Sequence, residues 1–354
     1  MKYSKLGRTG LDVSRVCLGT MTWGEQNTET EAFEQMDYAV GRGVNFFDTA
    51  EVYAVPTSAG TQGKTEEIIG NWFEKTGKRQ DIVLATKVVG VGVPWIRDAA
   101  EMTGASVRAA VDGSLKRLKT DYIDLYQLHW TNRGFRPESG QTYAGQIDFA
   151  SYKTAEIEDN LLDILQALGE AVAAGKVRHT GLSDDSAWGI MKYLELAQKH
   201  NLPRMQSIQN EFSLLCRTDD PYLAEVCVRE DVAYLPWSPL ATGILTGKYQ
   251  NGALPTGARY DVAINKLGYQ PNFRLQAYTY AAVDAYMAVA KKHGLDVCDM
   301  ALKFVDVQNF VTSTIIGATN MAQLKTNIDA FDINLNAEVL ADIDVVYKAH
   351  PMPF

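Results

Sequence analysis

The chain has 354 residues, 46% hydrophobic and 22% charged, the balance of a folded globular protein and not of a disordered or fibrous one. Its 34 Lys plus Arg against 43 Asp plus Glu give a formal net charge of −9, which repels phosphate backbones and anionic lipid, so neither nucleic-acid nor membrane-surface binding is expected. No stretch reaches about 18 uncharged apolar residues, residues 1–7 lack the apolar core of a signal peptide, and a cytoplasmic location is expected.

Residues 2–14 have no helical period, and 7–10 reads as a turn between two short strands, an N-terminal β-hairpin plugging the bottom of a barrel. Short apolar runs then alternate with longer amphipathic ones. Strands are predicted over 16–20, 45–48, 82–86, 124–129, 180–183, 207–210, 233–238 and 314–316, each rich in residues that suit burial on both faces. Between them, Thr28 with Glu31 reads as a capping box ahead of the stripe Phe33, Met36, Val40, which Gly43 ends. Val107, Val111, Leu115 and Leu118 form a second stripe, and Leu161, Ile164, Leu165, Leu168 and Val172 a third. Further helices are predicted over 65–76, 186–199, 222–230, 280–293, 321–331 and 337–347. Eight strands each followed by helical sequence predict an α/β fold, a (β/α)8 TIM barrel occupying 1–354 as one domain, with an open doubly wound sheet as the alternative. Residues 54–64, 131–156 and 249–279 break the repeat as long polar loops after the second, fourth and seventh strands, the end of a barrel where active sites are built.

Cys17, Cys216, Cys227 and Cys298 lie far apart and read as reduced small hydrophobes. The histidines show no ligand spacing, and no metal is expected. Three titratable residues stand where apolar strands run out: Asp48, Lys87 and His129. Alone, each reads as the first wetted position of a strand. Together on neighbouring strand ends, with Tyr53 a few residues past Asp48, they make a proton-transfer set. An ammonium at Lys87 is expected to lower the Tyr53 phenol from its reference value near 10. Asp48 would hold that ammonium, and a neutral His129 would donate to a developing oxyanion. Such a set protonates an alkoxide and needs a hydride source.

Asp48-Thr49-Ala50-Glu51-Val52-Tyr53, followed by Lys87 and Leu128-His129, resembles the catalytic tetrad of the aldo-keto reductases. The resemblance continues through residues 181–183, 209–211, 237–249 and 316–327, nearly the whole chain in family order. The runs 19–25 and 55–63 look most similar to the bacterial Tas-like members. It implies NADPH-dependent reduction of aldehydes or ketones, the cofactor lying extended across the barrel mouth without a Rossmann unit. No Gly-x-Gly-x-x-Gly separates a strand from a helix here, and residues 243–249 are one residue short of a P-loop.

By the same resemblance Trp237 stacks on the nicotinamide while Ser183 and Gln209 bind its carboxamide. Gly243 and Lys248 meet the pyrophosphate, and Arg259 supplies a second cation for a 2′-phosphate. Thr319, Gln323 and Asn327, spaced i, i+4, i+8 on one helix face, suit the adenosine end. Thr20, Ser238, Pro239, Leu240 and Gly317 complete the implied cradle. Trp23, Val52, Tyr53, His129 and Trp130 are expected to line the substrate pocket, with 131–156 as a lid. Arg133 and Arg136 read as solvated loop residues, anionic-substrate contacts being the alternative. Three positions depart from the family pattern: Asp184 follows Ser183 in place of Asn or Arg, Ala54 stands for the usual Gly after Tyr53, and Thr326 stands where a Glu often meets adenine. Two other functions fit in part. A cofactor-binding regulatory partner similar to potassium-channel beta subunits is disfavoured by His129, and a Schiff-base aldolase is disfavoured by the Asp48 that keeps Lys87 protonated. A small carbonyl substrate is the expected partner, and a homo-oligomer is open.

Overall fold

The computed structural model describes residues 1–133, 149–151, 153–266, 274–351 and 353. Most of the expected lid, with Arg136, therefore lies outside the described residues. The chain opens with an antiparallel hairpin, β1 (Tyr3–Lys5) and β2 (Asp12–Ser14), in which Tyr3 opposes Ser14. Eight parallel strands follow: β3 (Val16–Gly19), β4 (Phe46–Asp48), β5 (Val83–Val88), β6 (Ile123–Leu128), β7 (Val177–Ser183), β8 (Met205–Gln209), β9 (Ala233–Tyr234) and β10 (Thr314–Ile316). They lie in the spatial order β10-β3-β4-β5-β6-β7-β8-β9. Thr312 donates its N–H to Tyr234 O at 2.9 Å and Ile315 donates to Pro236 O at 2.9 Å, closing the row into a ring. This is the expected (β/α)8 barrel.

Alternation along the strands explains both layers. Cys17, Phe46, Leu125, Leu235 and Ile315 point inward and pack with Leu6 and Val13 of the hairpin, a cluster that fills the barrel's lower interior. Their neighbours Leu18, Phe47, Tyr126, Tyr234 and Ile316 point outward against the helices. Those helices are α1 (Glu29–Gly41), α2 (Lys64–Thr76), α3 (Gly104–Leu118), α4 (Thr154–Ala173), α5 (Ala187–His200), α6 (Leu223–Glu230), the single turn α7 (Arg259–Asp261), α8 (Ala277–Lys292), α9 (Val297–Asp306), α10 (Met321–Asp329) and α11 (Ala337–Ala349). The Thr28–Glu31 capping box starts α1 as expected.

Two elements differ from expectation. The run 233–238 keeps only two residues as strand, because Pro236 has no N–H to give the ladder. Helix α9 was not anticipated. Its polar members Lys303 and Asp306 are buried and paired at 2.9 Å instead of marking a solvent face, so the helical period is blurred in the sequence.

Candidate active site at the barrel mouth

Adjacent strands deliver the titratable set because their registers align it. Asp48 opposes Ala85, and Lys87 opposes Gln127, which places Asp48, Lys87 and His129 at one end of the ring. Lys87 is fully buried, and its Nζ donates to Asp48 Oδ2 at 2.6 Å and to Thr49 O at 2.8 Å. The other carboxylate oxygen of Asp48 accepts from Gln209 Nε2 at 2.8 Å and from Gln127 Nε2 at 3.2 Å. Burial alone would strip an ammonium of its proton. Here that cost is outweighed by the Asp48 charge and the Tyr53 oxygen, and Lys87 is held above its usual value.

The same ammonium lies 5.0 Å from the centroid of the Tyr53 ring, and His129 meets that ring edge-on at 5.6 Å. Burial raises the Tyr53 phenol more than Lys87 lowers it, so the expected lowering is not met in the cofactor-free chain. The phenol keeps its proton. His129 is pushed well below its ordinary value by burial and then by Lys87, and is neutral. Its Nδ1 is buried without a partner among the described residues. A buried N–H with no acceptor costs more than a lone pair with no donor, which assigns the single ring proton to Nε2.

Around this centre lie the expected cofactor residues. The Ser183 hydroxyl makes no hydrogen bond among the described residues, and Gln209 Oε1 is likewise unengaged while its Nε2 is fixed on Asp48. Trp237 is partly exposed, followed by Ser238, Pro239 and Leu240 on a tight turn in which Ser238, Ala241, Thr242 and Gly243 all have left-handed φ. Lys248 and Arg259 are exposed and form no ion pair among the described residues. Their loop is fastened by Thr242 Oγ1 to Tyr260 Oη at 2.5 Å and by the buried bidentate pair Arg274–Glu211 at 2.6 Å. Gly317 is exposed, with open space where a side chain would begin.

Several residues sit differently from expectation. Thr319 precedes α10 instead of lying on it, because Asn320 caps that helix by accepting from Gln323 N at 2.9 Å. Gln323 Oε1 folds back onto Thr319 N and Oγ1, and Asn327 is buried, donating to Gly317 O at 3.0 Å. The three therefore do not share an open face. Thr20 is fully buried, its hydroxyl engaged by Asp48 O at 2.8 Å. Trp23 is no pocket wall: its side chain is fully buried against α1 and donates Nε1 to Gln35 Oε1 at 3.1 Å. Val52 turns into a small apolar cluster with Val89 and Ile96 and is 4% exposed.

Trp130 remains at the mouth, 4.8 Å from His129, with Nε1 donating to Val91 O at 3.0 Å. It lies so close over Gly90 that any Cβ there would overlap the indole. Arg133 is neither solvated nor free for a substrate, being buried on Asp185 and over the Trp188 ring. Gln127 was missed, although a glutamine among the apolar residues of β6 was a readable signal. Among the described residues no three His, Cys, Asp or Glu side chains come together as metal ligands would. No helix among them is long and apolar enough to cross a membrane.

Comparison with known proteins adds to this geometry. The model of the Aldo/keto reductase family matches residues 15–348. Protein tas of Escherichia coli is 44% identical over 356 residues, covering 100% of this chain and 99% of its own length. The uncharacterized oxidoreductase YrpG of Bacillus subtilis is 34% identical over 353 residues, covering 98% and 96%. A probable voltage-gated potassium channel subunit beta of Arabidopsis thaliana is 29% identical over 359 residues, covering 99% and 98%.

Proposed function

Since the chain belongs to the aldo/keto reductase family and is thereby an oxidoreductase, we propose that it reduces aldehydes or ketones to alcohols with NADPH, Tyr53 donating the proton. The observation that carries this reading is the Asp48–Lys87 pair, 2.6 Å long and fully buried, set against the ring of a still protonated Tyr53 with a neutral His129 at its edge.

The residues at the mouth fit the cofactor. Ser183 Oγ and Gln209 Oε1 offer unengaged polar atoms to a carboxamide, Trp237 offers a flat face, and Lys248 with Arg259 offers charge to phosphates. Two exposed cations that form no ion pair among the described residues favour the 2′-phosphate of NADPH over NADH. When bound, that cofactor supplies the hydride. The carbonyl oxygen accepts from Tyr53 Oη and from the Nε2–H of His129, two donors aimed where negative charge develops. Tyr53 then gives up its proton, and the Lys87 ammonium stabilises the phenolate that remains. Asp48 holds that ammonium in place, and Gln127 and Gln209 fix the Asp48 carboxylate by donating to its other oxygen.

Oxidation of NADPH by a panel of aldehydes, wild type against Tyr53→Phe, tests the reading. Loss of a general acid lowers turnover by about 10²–10⁴-fold. Equal rates in the two proteins, or none in either, would overturn it. The likeness to the channel subunit supports a second reading, a cofactor-binding regulatory partner. That role needs NADPH binding without turnover, so the same experiment separates the two.

A further inference from the structure

We infer that Asp184 is a positioning residue that locks the indole plane of Trp237, and so presents a fixed flat face to the nicotinamide; the inference rests on the cofactor reading above. Asp184 directly follows β7 and is 6% exposed. It has φ +45°, a left-handed conformation that Gly, Asn and Asp adopt most readily. Its N–H donates to Gln209 O at 2.9 Å, which fixes its backbone on the next strand. Its carboxylate is near enough to Tyr53 to raise the phenol. The side chain crosses to the strand beyond, where Oδ1 accepts from Trp237 Nε1 at 3.0 Å.

The backbone of Trp237 is clamped on both sides, with N donating to Asn210 O at 3.0 Å and O accepting from Phe212 N at 3.3 Å. That fixes where the indole starts but not how it turns, because the ring torsion of tryptophan is broad. Trp237 is partly exposed, so packing does not fix the ring fully and water could satisfy its N–H in any orientation. The link to Asp184 is then what selects one plane. It also accounts for the departure at this position: the carboxylate oxygen that cannot donate to a carboxamide oxygen accepts from an indole instead.

Three variants separate anchoring from general damage. Asp184→Asn keeps an acceptor oxygen and tolerates the left-handed backbone. Asp184→Gly removes the acceptor without backbone strain. Trp237→Phe removes the donor and serves to assign the indole resonance. In the cofactor-free protein, the Trp237 indole N–H is expected to be shifted and slow to exchange in wild type and Asp184→Asn, and to lose both properties in Asp184→Gly. Asp184→Gly is expected to weaken NADPH binding about tenfold and to leave 2′,5′-ADP, which lacks the nicotinamide, unchanged. Asp184→Asn should stay within about twofold of wild type, and Asp184→Gly should add nothing on a Trp237→Phe background.

Equal weakening of both ligands, additive losses in the double variant, or an unmoved indole resonance in Asp184→Gly would overturn the inference. If the wild type binds neither ligand, the cofactor reading falls. The indole resonance then decides alone whether Asp184 anchors Trp237.

Discussion

At the N-terminal end of the barrel, the carboxylate of Asp124 takes Arg79 and the Leu84 N–H on one oxygen and Arg178 on the other, at 2.8–3.0 Å. Tyr122 lies between the two guanidinium groups at 4.0 and 3.8 Å. At the C-terminal end, the Asp48–Lys87 pair is as well made, yet among the described residues that end also carries groups with capacity left over: His129 Nδ1, Ser183 Oγ, Lys248 and Arg259. Both ends bury a carboxylate among cations. Among the described residues the C-terminal end gathers several unanswered polar groups beside its pair, whereas at the other end both oxygens of Asp124 are engaged and Thr314 Oγ1 stands buried without a partner away from that carboxylate. Function is therefore read from the unanswered atoms beside the pair and not from the pair itself.

Breaking each pair sharpens the contrast. Lys87→Met is expected to leave Asp48 as a buried unpaired charge, to lower stability by about 3–5 kcal/mol, and to cut aldehyde reduction by about 10²–10⁴-fold. Asp124→Asn is expected to lower stability by about 2 kcal/mol, less because Arg178 is half exposed, with kcat and KM unchanged. Denaturant unfolding beside steady-state kinetics checks both, and loss of turnover in Asp124→Asn would erase the contrast.

Lys248→Ala with Arg259→Ala should weaken NADPH by about tenfold or more while changing NADH little, each cation giving up a charge-assisted contact. Titration of the two cofactors against the double variant reads this directly. The smallest effect is with pH. Burial holds the Tyr53 phenol above its usual value, Lys87 is held up as well, and His129 is neutral until well below 6.5. The rate of reduction should then be flat from about pH 6 to 9 as far as these groups decide it. Stability behaves differently. His129 takes up a proton more readily unfolded than folded, so its contribution is present above about 6.5 and is lost as pH falls below that value, by at most about 1.4 kcal/mol per unit. A melting temperature that rose on acidification through this window would contradict the buried neutral state.

The strands were legible because each is a short apolar run ended by turn residues, and the titratable set at the barrel mouth because charge rarely closes such a run. Helix α9 was not, since Lys303 and Asp306 satisfy each other inside the protein and erase the polar stripe. Trp23 misled because an aromatic just past a strand end looks like a mouth wall. Whether it turns outward or under α1 depends on Gln35, twelve residues away, offering an acceptor. The lowered Tyr53 phenol failed for a similar reason: neighbouring charge can be guessed from spacing, but the depth of burial opposing it cannot. Thr319 shows the limit of periodic spacing, as the i, i+4 rule holds only inside a helix and the cap lies one residue later.

The ring closes through β9 and β10, and β9 is two residues long. Every other neighbouring pair in the barrel is joined as ladder strands, whereas this seam rests on the amides of Thr312 and Ile315 reaching Tyr234 O and Pro236 O. Trp237 and Ser238 lie just above one side of it, and Gly317 and Thr319 just above the other. A molecule held by both groups of residues would act as a staple across the joint. Slowed deuterium uptake at Thr312 and Ile315 on loading would then report occupancy from beneath the site, through the backbone of the barrel and not through any residue that touches the ligand.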